Sequence, residues 1–241
     1  EIRVQAIRIL GESGATFAYD DIEDLILDSH PRVSYFATIA AGHLGQPLEE
    51  VTALLEANNN EDVYLRHAGV VALAKSQYAS TLANLRSHPS PAVRLGAVLA
   101  LRKQSSPLLS HFLSDEDDEV ATEAARAIHD VPVKGALHEL AGTLSSARTY
   151  PWARRAMSAS ERLGNDEYIE QLVAFAMDDS NEERMRQLAL SMVATWTSPP
   201  HREQVEGKWW PAKHFGHRSI DAVKASLPDL LAASDGDTLL K

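Results

Sequence analysis

Apolar residues recur along most of this chain in one helical phase. Position zero is the apolar residue opening each recurring stretch: Ile2, Val33, Leu65, Val93, Val120, Trp152 and Met185. Four places on stands a small residue, Ala6, Ala37, Gly69, Ala97, Ala124, Ala156 or Ala189. Eight places on stands Leu10, Ala41, Leu73, Leu101, Ile128, Ser160 or Val193. These positions line one side of a helix of about 3.6 residues per turn, so each stretch predicts an amphipathic helix. Successive zeros lie 27 to 33 residues apart, the period of a helix-pair repeat. The clearest copy is Asp115 to Val133, DEDDEVATEAARAIHDVPV, an acidic turn, an alanine-rich helix and a closing Pro turn.

A shorter amphipathic segment precedes each later helix, at 22–28, 48–57, 81–86, 107–113, 133–144 and 168–177. Pro31 and Pro91 stand where a helix can begin. Asn58-Asn59-Asn60 and Asp178-Asp179-Ser180-Asn181 offer capping oxygens, and Gly11, Gly42, Gly45 and Gly164 read as C-terminal caps. Arginine follows position zero in four units, as Arg3, Arg66, Arg94 and Arg186. These are expected to bridge consecutive helix pairs through acids or helix ends rather than to hold a ligand.

The Val-Arg-x-x-Ala helix and its shorter partner resemble HEAT repeats over roughly Glu1 to Trp196. The resemblance implies an all-α, right-handed, armadillo-like alpha-solenoid of a half repeat plus about six helix pairs. Neighbouring pairs would share one core, because a single pair cannot bury its own apolar face. Two segments, EAARAIHDVPV (Glu123–Val133) and ATWTSPPHREQVEGKWWP (Ala194–Pro211), carry a narrower resemblance. They are similar to the HEAT segment of large planctomycete-type membrane-bound dehydrogenases. In that family a sorbosone-dehydrogenase-like propeller precedes the array and a haem domain with Cys-x-x-Cys-His follows. The match implies a connector within an exported or periplasmic multidomain redox protein, with no haem attachment here because the chain has no cysteine. Its opening, Glu1-Ile2-Arg3, lies already inside a helical pattern and reads as part of a longer protein.

Charge narrows the partners. A net charge of −11 argues against a nucleic-acid groove, and no apolar run approaches the roughly 20 residues of a membrane span. After Trp196 the register stops at Thr197-Ser198-Pro199-Pro200, so 197–241 is expected to be a capping tail. In it Trp209-Trp210 and an amphipathic stretch at 219–233 would pack back over the last repeat.

No catalytic, metal or cofactor residue is assigned. His214-x-x-His217 with Asp221, joined by His201, is the best local histidine cluster, yet it falls short of a zinc signature. His138-Glu139 is a single pair where a di-iron site of the HEAT-like hydroxylases uses several, and His67 is followed by Ala68. The acids at Asp115–Glu119 lack the alternation and central Gly of a calcium loop and suit a helix start. A Ser–His–Asp arrangement is spatial and does not follow from spacing. The chain therefore reads as a non-catalytic scaffold for a protein or neighbouring domain; the alternative is a metal-binding or enzymatic module using tail or groove histidines.

The candidate surface lies at positions two and six. In the last three units these are polar: Thr122 and Arg126, Arg154 and Ser158, Gln187 and Ser191. In units two to four they are Tyr35 and Ile39, His67 and Val71, Leu95 and Leu99. Stacked in register, these six form an apolar strip of the kind that marks a partner surface. Curvature of the array could instead bury them, and solvent accessibility decides between the two.

Overall fold

The computed structural model describes residues 1–209 and, beyond them, Arg218, Asp221, residues 223–225 and Pro228. The fold is all-α. Among the described residues there is no strand, only an isolated antiparallel bridge between Arg202 and Trp209. The chain divides into two compact units, Glu1–Ala127 and Ile128–Lys241.

The first unit contains α1 (Ile2–Ser13), α2 (Tyr19–Glu23), α3 (Pro31–Leu44), α4 (Leu48–Asn58), α5 (Val63–Ser76), α6 (Ala79–Asn84) and α7 (Pro91–Lys103). A 3-10 segment, Pro107–Phe112, follows, and then most of α8 (Asp118–Asp130). Pro31 and Pro91 occupy the first turns of α3 and α7, as the sequence predicts. Asp62, not the preceding asparagines, caps α5: its carboxylate accepts from the N–H of Tyr64 at 2.7 Å and of Leu65 at 3.3 Å. Asn58 holds that cap in place by bonding both the N–H and the carbonyl of Asp62 at 3.0 Å.

The longer helices pack in chain order, α1 on α3, α3 on α5 and α5 on α7, while α2, α4 and α6 lie against α3, α5 and α7. Two of these packings repeat one register. A Cβ on Gly11 of α1 would fall 2.7 Å from the Ala40 Cβ of α3, and one on Gly42 of α3 would fall 2.5 Å from the Ala72 Cα of α5. Each glycine stands nine places after its position zero and meets an alanine seven places after the next. Gly11 and Gly42 are therefore close-approach positions inside helices, not caps. The left-handed glycine caps are Gly14 and Gly164, both at φ 71°, and Asn59 closes α4 in the same conformation at φ 42°.

The predicted stripe is buried from α3 onward. Val33, Ala37 and Ala41, then Val93, Ala97 and Leu101, then Val120, Ala124 and Ile128 all lie in the core. Leu65 is half-buried above buried Gly69 and Leu73. In α1 the expectation fails: Ile2 is 88% exposed and Ala6 is exposed, while Val4, Ile7 and Gly11 are buried. α1 packs on α3, so the side it covers is the one facing α3 rather than the stripe that later helices turn toward their shorter partners.

The arginines behave largely as expected. Arg94 is buried and grips Asp115 with Nε and Nη2, both at 2.9 Å, while Nη1 donates to the carbonyls of His88 and Pro89. Arg3 pairs with Asp28 at 2.9 Å. Arg186 donates to the Ala176 carbonyl at 2.9 Å and pairs with Asp179 at 2.7 Å.

The second unit holds the end of α8, α9 (Leu137–Gly142), α10 (Tyr150–Leu163), α11 (Asp166–Met177) and α12 (Glu183–Ala194). α9 packs on α10, α10 on α11 and α12, and α11 on α12. Trp152 is fully buried and its Nε1–H donates to Thr143 Oγ1 at 2.9 Å. Trp196 is fully buried too, with the Arg218 guanidinium 4.7 Å over its ring. Trp209, expected to seal the tail, is instead 65% exposed with its ring edge against His201. Trp210, Pro211, His214 and His217 lie outside the described residues, as does most of 219–233.

Candidate functional site

Helices α3, α5 and α7 carry the six strip residues. His67 is exposed, and Tyr35, Ile39, Val71 and Leu99 are half-buried with surface remaining. Leu95 is the exception. It is 3% exposed, because α7 is packed by α4, α5, α6 and the 3-10 segment, and residues 92 to 98 are all enclosed. Leu95 therefore belongs to the core and is removed from the candidate surface.

The structure adds a residue that the two-and-six rule passes over. Tyr64, in the first turn of α5, is 72% exposed. Tyr64, His67 and Val71 follow the i, i+3, i+7 spacing and so share one side of α5. The legible signal was an aromatic one place before position zero, where core packing gives no reason for one. On α3 the Tyr35 and Phe36 rings meet edge to face at 5.0 Å, which fixes Tyr35 without burying it.

A second concentration of chemistry lies in the second unit. His129 is fully buried, with Nδ1 2.8 Å from Asp130 Oδ1 and Nε2 2.9 Å from Ser158 Oγ. In outline this is a serine, a histidine and an acid at catalytic distances. The hydrogen-bond directions say otherwise. The Ser158 hydroxyl donates to Glu203 Oε1 at 2.8 Å, so its oxygen accepts from Nε2. The serine proton therefore points at the Glu203 carboxylate and away from the ring. Ser158 is also fully buried, where an acyl group cannot reach it.

Electrostatics agree with this assignment. Burial pushes the Glu203 carboxyl up, but His129 and the N–H groups of Glu206 and Val205 outweigh it and hold the group down at about 2. Burial also acts on Asp130, and there the bonds from His129 and Arg155 win, holding it well below the usual carboxylate range. Arg155 binds both Asp130 oxygens at 2.9 Å. Glu203 accepts from the N–H groups of Val205 and Glu206 at 2.7 Å each, closing its own turn. Arg154 reaches the Gln204 carbonyl at 2.6 Å. Together these contacts pin the 203–206 turn to α10 and the end of α8.

His129, Asp130 and Glu206 also bring possible metal-ligand atoms within 4.8 Å of one another. The fit is poor. The Asp130 oxygens already hold the Arg155 guanidinium, and Lys208 pairs with Glu206 at 2.9 Å. A divalent ion would have to displace two cations and break the His129–Asp130 bond. Two of the other histidines considered from sequence have partners of their own: His138 Nδ1 bonds the Tyr168 hydroxyl at 2.8 Å, and His201 packs on Trp209.

Glu161 stands close by, 1% exposed, its Oε1 making no hydrogen bond among the described residues. Burial raises its carboxyl to about 7, against the opposing pull of Arg218 and reinforced by nearby Glu203.

No protein-family model matches the chain, and no curated protein matches it.

Proposed function

We propose that this chain is a non-catalytic interaction scaffold, a right-handed solenoid of HEAT-like helix pairs that docks another protein or domain along α3, α5 and α7. The observation that carries the reading is the accessible row of Tyr35, Ile39, His67, Val71 and Leu99 on three helices packed in chain order. The solenoid itself is supported by the buried zero, four and eight stripe and by the repeated glycine–alanine register. The serine–histidine cluster supports a structural role, since its protons are committed and its atoms enclosed. A connector role within a larger redox protein is the narrower form of this proposal and rests on the wording of Glu123–Val133 and Ala194–Pro211.

Photo-crosslinking in the source cell tests the docking row. A benzoylphenylalanine at position 67 is expected to give one discrete adduct, lost on Ile39→Ser in a chain that keeps its helical circular dichroism. The same probe at exposed Glu56 of α4 is expected to give none. Equal adducts from both positions would overturn the reading.

A further inference from the structure

One turn beyond each of three row residues stands a basic residue, a histidine and two lysines. Ile39 is followed four places on by His43, Val71 by Lys75 and Leu99 by Lys103, so each pair shares a side of its helix. His43, Lys75 and Lys103 are exposed, and none makes an ion pair among the described residues. At the corresponding places in α8 the sequence has Arg126 and Asp130, so the apolar and the basic character stop together.

Packing brings these helix ends side by side. Gly42, next to His43, lies against Ala72 of α5. Gln104, next to Lys103, donates to the carbonyls of Ala74 and Gln77 at 3.0 and 2.9 Å, on either side of Lys75. A helix C-terminus favours a basic residue in its last turn, which accounts for one on each helix. It does not require that each stand one turn after an accessible apolar residue, a condition all three meet. The chain as a whole is acidic, with a net charge of −11. Beyond about 8 Å that charge is screened at physiological salt, so the local row governs what a docked segment meets.

We propose that the occupant of the row is an acidic amphipathic helix, its apolar residues on Ile39, Val71 and Leu99 and its carboxylates along His43, Lys75 and Lys103. The inference rests on the docking reading above and names the chemistry of its partner. Packed helices stand about 8–10 Å apart, and seven residues of helix rise about 10 Å. One apolar residue per heptad of the partner therefore meets each successive helix of the scaffold.

The test is fluorescence anisotropy on the full chain with labelled synthetic peptides of about three heptads, Leu at every seventh place and Glu, Gln or Lys beside it. The Glu peptide is expected to bind about tenfold more tightly than the Lys peptide at low salt, the gap closing as salt is added. A Lys75→Glu, Lys103→Glu chain is expected to reverse the order. Both sites are exposed, so the fold should survive, and the unchanged melting profile checks it. A Glu preference that persists in that variant overturns the proposal, because the acidic peptide then sits elsewhere. Equal binding of all three peptides, lost on Ile39→Ser, overturns the acidic partner but leaves the docking row standing. Binding by none of them overturns both.

Discussion

Gly42 of α3 approaches Ala72 of α5 so closely that a Cβ on the glycine would lie 2.5 Å from the alanine Cα. The obstacle is backbone, which cannot swing away as the end of a side chain can. In an open helix Gly→Ala stabilises by about 1 kcal/mol. Gly42→Ala is expected to do the opposite, destabilising the chain by roughly 1–3 kcal/mol as α3 and α5 are forced apart. Gly142→Ala is the control: a Cβ there meets nothing within 4 Å, so no loss is expected. Urea denaturation of the two variants measures both signs.

The Arg94–Asp115 pair predicts a different pattern. Both side chains are 4% exposed and joined by two bonds. Removing one partner leaves the other charge buried, so Arg94→Met or Asp115→Leu alone should each cost about 3–5 kcal/mol. The double variant should recover much of that loss, since it leaves neither buried charge uncompensated. A double-mutant cycle by chemical denaturation gives the coupling directly.

Acid should loosen the 203–206 turn. Glu203 and Asp130 have folded-state pKa values held below their ordinary ones. Their contribution is present above pH of about 4.5 and is lost as pH falls through the folded value, about 2 for Glu203. Glu203→Gln is expected to lower stability at pH 7 by about 2–4 kcal/mol and to flatten the acid limb. Thermal melts from pH 2 to 7 follow it. Ser158→Ala should also destabilise, and Ser158 should resist a fluorophosphonate probe in the folded chain.

Glu161 acts at the other end of the pH scale. Its carboxyl is raised to about 7 from 4.5, so the folded state holds that proton more firmly than the unfolded state. Its contribution is present below about 4.5 and is lost as pH rises through about 7. Glu161→Gln is expected to be more stable than the parent at pH 8 by on the order of 1–2 kcal/mol and equal to it near pH 4. Calorimetric melting temperatures across pH 4 to 9 test the crossing.

The helical stripe was legible because it is a local property: Val93, Ala97 and Leu101 announce one side of a helix without reference to anything distant. Turn chemistry was legible where the residue has one common use, as with Pro31 and Pro91. Glycine has two, and Gly11 and Gly42 were read as caps because positive φ and close approach leave the same mark in a sequence. Leu95 looked like surface because its position was taken from the register, while the burial of α7 depends on four neighbouring elements. The polar cluster was hidden for another reason. Ser158 reads as one more polar inner position, and Glu203 lies 45 residues away in a stretch with no periodicity.

The Arg94 clasp also sets a limit on how the chain can be divided. Its guanidinium draws on carbonyls just before α7 and on a carboxylate contributed twelve residues after that helix ends. A fragment that stops at Lys103 keeps every residue of α7 but strands a buried cation inside it. Expression boundaries for the first unit therefore belong beyond Asp115, and a shorter piece is expected to be recovered from inclusion bodies rather than from the soluble fraction.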